Sequence, residues 1–320
     1  MILRSWFASL LLFFSCSTMA CQLTAATPLI LFGNVSSFTV SSSQQQSSAQ
    51  PHAGGITCDF STLVSLLSGD YVSATFNSIN NGLLLNEDDP SSELSYQIFG
   101  DPGLSQEYVF GQTYNFFEIG LLDLLGLFGT QAEFPLYART GVGSNLSAGT
   151  YKDQITVSWI WDYCKGIGVL GGMHWPRQWQ RSKRDYGVRS DPPDCMITAP
   201  DIDFGSSPLV AGFEPVSQVI SLTCTKNSSF SIGLNDGLNA SGGQRRMISS
   251  GHYLEYEIYK SSTMERWGGR HQSERREHGD VDTGGSIPDG ITPQNYNYRA
   301  QILTSQTTPS CRYLHRFNNR

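Results

Sequence analysis

The sequence predicts an all-β protein made of two related, disulfide-bearing sandwich domains, and three observations predict it. The first is an internal repeat: Cys21, Leu23, Thr24, Phe32 and Gly33 recur as Cys195, Ile197, Thr198, Phe204 and Gly205. Each copy then offers a second cysteine, Cys58 or Cys224. Each also carries Leu-x-Tyr-x-Ile-aromatic, as Leu94, Tyr96, Ile98, Phe99 and again as Leu254, Tyr256, Ile258, Tyr259. A cysteine pair and an alternating strand, present twice, mark two copies of one structural unit. The second is composition: only 15% of the 320 residues are charged, while 32 glycines and 12% aromatics suit a turn-rich β protein. The third is a series of short apolar runs separated by turn residues, the pattern of sandwiches. The net charge of -7 argues against a nucleic-acid partner, whose phosphates need a basic face.

Residues 1–20 carry Arg4, an apolar run from Trp6 to Phe14 and small residues ending Thr18-Met19-Ala20. The run is too short to span a bilayer, so it is expected to be a cleaved export signal, leaving Cys21 first. A lipid on Cys21 is the competing reading; against it stand Thr18, where Leu is usual, and a plausible disulfide partner. Export favours disulfides. The repeat pairs Cys21 with Cys58 and Cys195 with Cys224, and leaves Cys164 and Cys311. No Cys-x-x-Cys and no Cys/His cluster at ligand spacing occurs, so neither a metal nor a cofactor is expected.

Domain 1 is expected over 21–163, with strands at Leu29–Phe32, Tyr71–Phe76, Ser95–Phe99, Phe134–Arg139 and Gln154–Trp159. Between them Ser41 to Ala53 is a Ser/Gln-rich loop too polar to pack. A glycine-rich junction, Lys165 to Gly172, opens an expected linker over 164–192. Domain 2 is expected over 193–320, with strands at Ser217–Cys224, Phe230–Leu234, Leu254–Tyr259 and Asn295–Leu303.

The linker is odd. From Met173 through His174, Trp175, Pro176 and Arg177 to Arg184 no hydrophobic period runs, and aromatics and positive charge crowd together. Read one nucleotide later, Met-His must encode Cys and Trp-Pro must encode Gly. The other codons then permit an alternating strand with a partner for Cys164. The same shift turns Cys311 through Asn319 into Ala-Gly-Ile-Tyr-Thr-Asp-Ser-Ile-Thr, which matches Ala148 to Thr156. The sequence therefore predicts a compensated frameshift within 172–192 and an uncompensated one near 310, leaving 311–320 out of frame. The plainer alternative for the first segment is a basic surface loop.

No enzyme is expected, and no catalytic residue is assigned. The histidines lie in polar loop-like stretches or in the two odd segments, and no nucleophile elbow, phosphate loop or paired-acid motif is present. Glu87-Asp88-Asp89 is most simply a solvated turn before Pro90, without the spacing of calcium ligands.

Four elements carry a family resemblance: Gln244-Arg245-Arg246-Met247, Tyr253-Leu254-Glu255-Tyr256-Glu257-Ile258-Tyr259, Arg266-Trp267-Gly268 and Gln306-Thr307-Thr308-Pro309. Together they resemble the spore coat protein U domain, the pilin of archaic chaperone–usher pili. Domain 1 resembles it more weakly, through Phe32-Gly33, Gly69-Asp70-Tyr71 and Ala148-Gly149-Thr150-Tyr151. The two-domain layout is similar to that of the tip adhesin of such pili. The resemblance implies two immunoglobulin-like β-sandwich pilin domains, the second incomplete and missing a strand that a partner supplies. It implies as partners a periplasmic pilus chaperone, an outer-membrane usher, the N-terminal donor strand of the adjacent pilin, and an abiotic or host surface. With Cys21 first, the chain has no donor tail of its own, which implies a place at the pilus tip, outside the cell.

Two apolar segments are candidate adhesive loops. One comprises Leu121, Leu122, Leu124, Leu125, Leu127 and Phe128; the other, Leu63, Val64, Leu66 and Leu67. For each the alternative is a buried helix or strand, since apolar segments are more often core than display. The alternative for the whole chain is a structural pilin or secreted coat protein without an adhesive role of its own, including a decayed frameshifted copy.

Overall fold

The computed structural model describes residues 21–23, 29–47, 54–59, 71–118, 131–162, 164–165, 173–174, 178–191 and 194–306. Within them the chain is nearly all β. Its buried apolar side chains form two separate clusters, one drawn from Cys21 to Trp161 and the other centred on residues from Ile220 to Ile302. Each domain therefore has a core of its own.

Domain 1 comprises β1 (Cys21–Leu23), β2 (Leu31–Asn34), β3 (Ile56–Asp59), β4 (Tyr71–Ser78), β5 (Leu83–Asn86), β6 (Glu93–Phe99), β7 (Glu107–Tyr108), β8 (Thr113–Asn115), β9 (Gln131–Glu133), β10 (Tyr137–Thr140), β11 (Gly149–Asp162), β12 (Cys164–Lys165), β13 (Met173–His174) and β14 (Gln178–Asp191). One sheet runs β1-β3-β9. The other runs β10-β6-β5-β11-β14-β2, with β4 also paired to β11, β8 to β4 and β7 to β6.

The long strand β11 organises this domain. Its period of two buries Tyr151, Asp153, Ile155, Val157, Trp159 and Trp161 on one face. The Trp159 indole stacks on Phe116 with ring centroids 5.4 Å apart, packs against Phe134 at 5.0 Å, and donates its N–H to the Gly54 carbonyl at 2.8 Å. That last bond satisfies the one polar group of an otherwise apolar ring. Asp153, equally buried, accepts from the Tyr96 hydroxyl at 2.5 Å, the Ser78 hydroxyl at 2.6 Å and the Asn80 N–H at 3.1 Å. A buried carboxylate is tolerable only with partners of this kind.

Domain 2 comprises β15 (Cys195–Thr198), β16 (Val216–Cys224), β17 (Ser231–Ile232), β18 (Arg245–Ser249), β19 (His252–Lys260), β20 (Arg276–Glu277) and β21 (Gln294–Ile302). Its main sheet runs β15-β16-β21-β19-β18, and β17 pairs with β20. Here β21 alternates as β11 does, burying Gln294, Tyr296, Tyr298, Ala300 and Ile302.

The repeat in the sequence is a repeat in the topology. Cys21 lies opposite Cys58 and Cys195 opposite Cys224, and both expected disulfides form. Leu94, Tyr96 and Ile98 on β6 correspond to Leu254, Tyr256 and Ile258 on β19, and all six are buried. The path β1-β3-β9, continued through β10-β6-β5, corresponds to β15-β16-β21-β19-β18. In domain 1 a short break at 134–136 divides what is one strand, β21, in domain 2.

Two stretches differ from expectation. The expected linker over 164–192 contains β12, β13 and the whole of β14, whose fourteen residues are hydrogen-bonded into the domain 1 sheet. The expected Ser/Gln loop, Ser41 to Ala53, follows a helical turn at Ser37–Val40, and its described part, 41–47, lies against β10. There Ser47 donates to the Ala138 carbonyl at 2.9 Å and Thr140 to the Gln45 carbonyl at 2.8 Å. In both cases backbone groups pair irrespective of side-chain polarity, which is why the side-chain pattern gave no warning.

Candidate functional site

A strand-by-strand comparison of the two domains locates the site. In domain 1, β14 runs antiparallel to β11, from Gly149 opposite Asp191 to Trp161 opposite Gln178. It also runs parallel to β2, with Val188 opposite Leu31 and Ser190 opposite Asn34. It fills the gap between those two strands. The neighbour of β11 on its other side includes β5, at Tyr151 opposite Asn86.

Domain 2 repeats the Phe-Gly side of this gap and the strand that borders β11, and among the described residues it has no counterpart of β11 or β14. Phe204-Gly205 is the second copy of Phe32-Gly33. Both glycines take a left-handed φ, 78° at Gly33 and 71° at Gly205. Both phenylalanines meet the repeated tyrosine edge-on, Phe32 with Tyr96 at 6.5 Å and Phe204 with Tyr256 at 6.2 Å. In domain 1 the backbone at Gly33 is paired with Arg189 of β14. In domain 2 residues 199–205 form no strand, and β18, the counterpart of β5, pairs with β19 alone among the described residues. Unpaired strand edges beside an apolar core are a template for another strand.

The core of domain 2 is correspondingly open. A groove of about 390 Å³ reaches Tyr256 and Ile258 of β19 between the loops holding Ile202 and Leu234. Ile202, Phe204, Val210 and Phe213 pack on the core while only partly buried. Leu238, which lines the groove, is 93% exposed. Apolar side chains gathered at an open edge are suited to an apolar, alternating segment of another chain.

One wall of the groove is held by a buried charge network. Arg245, 1% exposed, pairs with Glu257 and donates to the carbonyls of Leu234 at 2.9 Å, Asn235 at 3.0 Å and Trp267 at 2.8 Å. Glu257 also accepts from Arg266 at 2.8 Å, and Arg266 pairs with Asp236, which Arg270 reaches at 2.7 Å. Burial works to raise the Asp236 pKa, but the Arg266 hydrogen bond and charge, with Arg270 and Arg245, outweigh it and hold the carboxyl below its usual range. Three of the sequence motifs thus converge here, while Asp236 and Glu274, which complete the network, lie outside them.

Both candidate adhesive segments, Leu63 to Leu67 and Leu121 to Phe128, lie outside the described residues. Of the residues flanking them, Tyr71 sits beside the end of β11 and Asp59 and Gln131 pair in the other sheet of domain 1. Tyr71 lies opposite Asp162, and Asp59 opposite Gln131. The other end of β11, at Gly149, faces domain 2. Among the described residues no group of three or more His, Cys, Asp or Glu converges as metal ligands would.

Comparison with known proteins agrees with this architecture. A solved chain from the "CsuC-CsuE chaperone-tip adhesion subunit pre-assembly complex from archaic chaperone-usher Csu pili of Acinetobacter baumannii" superposes with a TM-score of 0.56 at 23% identity, over 92% of this chain and 97% of that one. The similarity establishes the fold. The CooA pilin subunit from enterotoxigenic Escherichia coli aligns over 54% of this chain and 99% of its own, with a TM-score of 0.30 and 7% identity. A search of the curated proteins finds no match. The family model of the Spore Coat Protein U domain matches residues 9–158 and 190–316, so each sandwich is a copy of that domain. With that match spanning most of the sequence, the chain belongs to the Spore Coat Protein U domain family.

Proposed function

We propose that the chain is the tip adhesin subunit of an archaic chaperone–usher pilus and mediates surface attachment and biofilm formation. The observation that carries this reading is the unequal completion of two equivalent sandwiches. Domain 1 closes the gap between β11 and β2 with its own β14, whereas among the described residues of domain 2 no strand lies between β18 and the segment 199–205. A subunit of this kind accepts a strand through domain 2 and keeps domain 1 free to bind. In the periplasm a chaperone occupies the domain 2 edge; at the outer-membrane usher the N-terminal strand of the adjacent pilin replaces it. The exported chain then sits at the pilus tip outside the cell, with a mechanical and adhesive task rather than a catalytic one.

Attachment to an abiotic or host surface is assigned to the end of domain 1 remote from domain 2. Leu and Phe desolvated against an apolar surface contribute about 25 cal/mol per Å². Replacing Leu124 and Leu125 by Asp tests this. Adhesion is lost while secretion and assembly persist if the segment is displayed. Loss of the protein from the periplasm marks it as core instead, because an unpaired buried charge is costly. Retained adhesion points to a structural pilin.

A further inference from the structure

The junction between the domains is built from three segments on each side. Domain 1 contributes Ser37, Asp89 and Asn145 to Ala148; domain 2 contributes Asp194, Thr225 to Asn227, and Gly290. Asp89 is the centre. Its Oδ2 accepts from the Ser147 hydroxyl at 2.6 Å, from Lys226 Nζ at 3.1 Å and from Asn227 Nδ2 at 3.3 Å, while Oδ1 accepts from the Ser91 hydroxyl at 2.5 Å. Asn227 also donates to the Ser147 hydroxyl at 3.2 Å.

Backbone groups join across the same place. Ser147 bridges Lys226 in parallel, and the Ala148 N–H donates to the Lys226 carbonyl at 2.9 Å. Ser37 and Thr225 share a buried hydroxyl–hydroxyl bond of 3.0 Å, and Thr225 Oγ1 accepts from the Asp194 N–H at 3.1 Å. Gly290 approaches so closely that a Cβ there would lie 2.0 Å from Asn145 Oδ1. An ion pair, a backbone bridge, a buried hydroxyl pair and a glycine contact tie three segments of domain 1 to Thr225–Asn227 and Gly290 of domain 2, so rotation about one contact strains the others.

We propose that this junction locks the two domains into one rigid body, with the Asp89–Lys226 pair as its latch. Its placement gives the lock a use. Ser147 and Ala148 run directly into β11, which spans domain 1 for 14 residues, roughly 45 Å at about 3.3 Å per residue. Lys226 follows Cys224, which is cross-linked to Cys195 at the start of domain 2. Load on the far end of domain 1 therefore passes through β11 and the latch into a disulfide-braced strand. The lock does not depend on what either domain binds.

The test uses the full chain, with calorimetry and small-angle scattering on the wild type, Asp89→Ala, Lys226→Met and the double variant. The wild type unfolds in one cooperative transition and scatters as a single conformation. Either single variant splits the transition in two and requires an ensemble of domain orientations, and the double variant is no looser than the singles. Should Asp89→Ala disturb the turn at Ser91, Lys226→Met decides alone, since Lys226 is partly exposed and Asp89 keeps its bonds to Ser91 and Ser147. Two independent transitions in the wild type, or variants indistinguishable from it, overturn the proposal.

Discussion

Replacing Glu257 by Ala removes the carboxylate paired with Arg245, whose side chain is 1% accessible. Glu257 is itself buried and accepts from Arg245, from Arg266 at 2.8 Å and from the Ile258 N–H at 3.0 Å. The variant leaves the guanidinium in the interior hydrogen-bonded to the neutral carbonyls of Leu234, Asn235 and Trp267, with Asp236 as a nearby charge that does not bond it. Breaking a buried pair by deleting one partner costs about 3–5 kcal/mol. Against a total of about 5–15 kcal/mol for a whole domain, that is a large share. The readout that isolates domain 2 is amide hydrogen exchange on β19 and β21, followed by mass spectrometry. At about 1.4 kcal/mol per decade, protection there falls by more than a hundredfold. The companion variant, Arg245→Met with Glu257→Met, removes both charges and recovers most of the loss, because neither side then buries an unpaired ion. A loss under tenfold for Glu257→Ala, or a double variant as weak as the single, refutes the reasoning.

Trp159→Phe keeps the ring stack but leaves the Gly54 carbonyl without its donor, so domain 1 loses about 1–3 kcal/mol in denaturant unfolding; Trp159→Ala adds a cavity and costs about 3–5 kcal/mol. Cys195→Ser with Cys224→Ser opens a loop of sequence separation 29 and lowers domain 2 stability by about 2–4 kcal/mol, measured by urea midpoint under oxidising conditions. Hydrogen bonds from Ser147 and Ser91, then Lys226, hold the Asp89 carboxyl well below the usual carboxylate range. A depressed folded-state pKa means its contribution is complete above about pH 4 and is lost only as pH falls through the lowered value. Scattering at pH 4 therefore matches that at pH 7, and domain reorientation between those values counts against the latch. Resequencing the gene through codons 165–195 and past codon 310 is predicted to find a shifted base at each place; a clean reading removes the frameshift from the account.

The sequence was most legible where a side chain decides the structure. Alternation placed β4, β6, β11, β16, β19 and β21, and the repeat paired all four disulfide cysteines. It was silent where the partner decides. Gln178 to Asp191 shows no apolar period, yet β14 forms because β11 and β2 offer it backbone groups on both sides. Glu87-Asp88-Asp89 read as a solvated turn, and nothing local announces that Asp89 meets Lys226 from 137 residues away. The Arg245, Glu257 and Arg266 motifs were visible one by one, but their convergence depends on how β18, β19 and the following turn pack.

The central claim is that domain 2 takes a strand from a partner while domain 1 does not. Co-expressing the full chain with a periplasmic pilus chaperone, and mapping which amides gain protection in the purified complex, tests it most directly. A stable stoichiometric complex with new protection at Arg245–Ser249 and residues 199–205, and none along β2, is the predicted result. The account is contradicted if no complex forms, or if protection is gained in domain 1 instead.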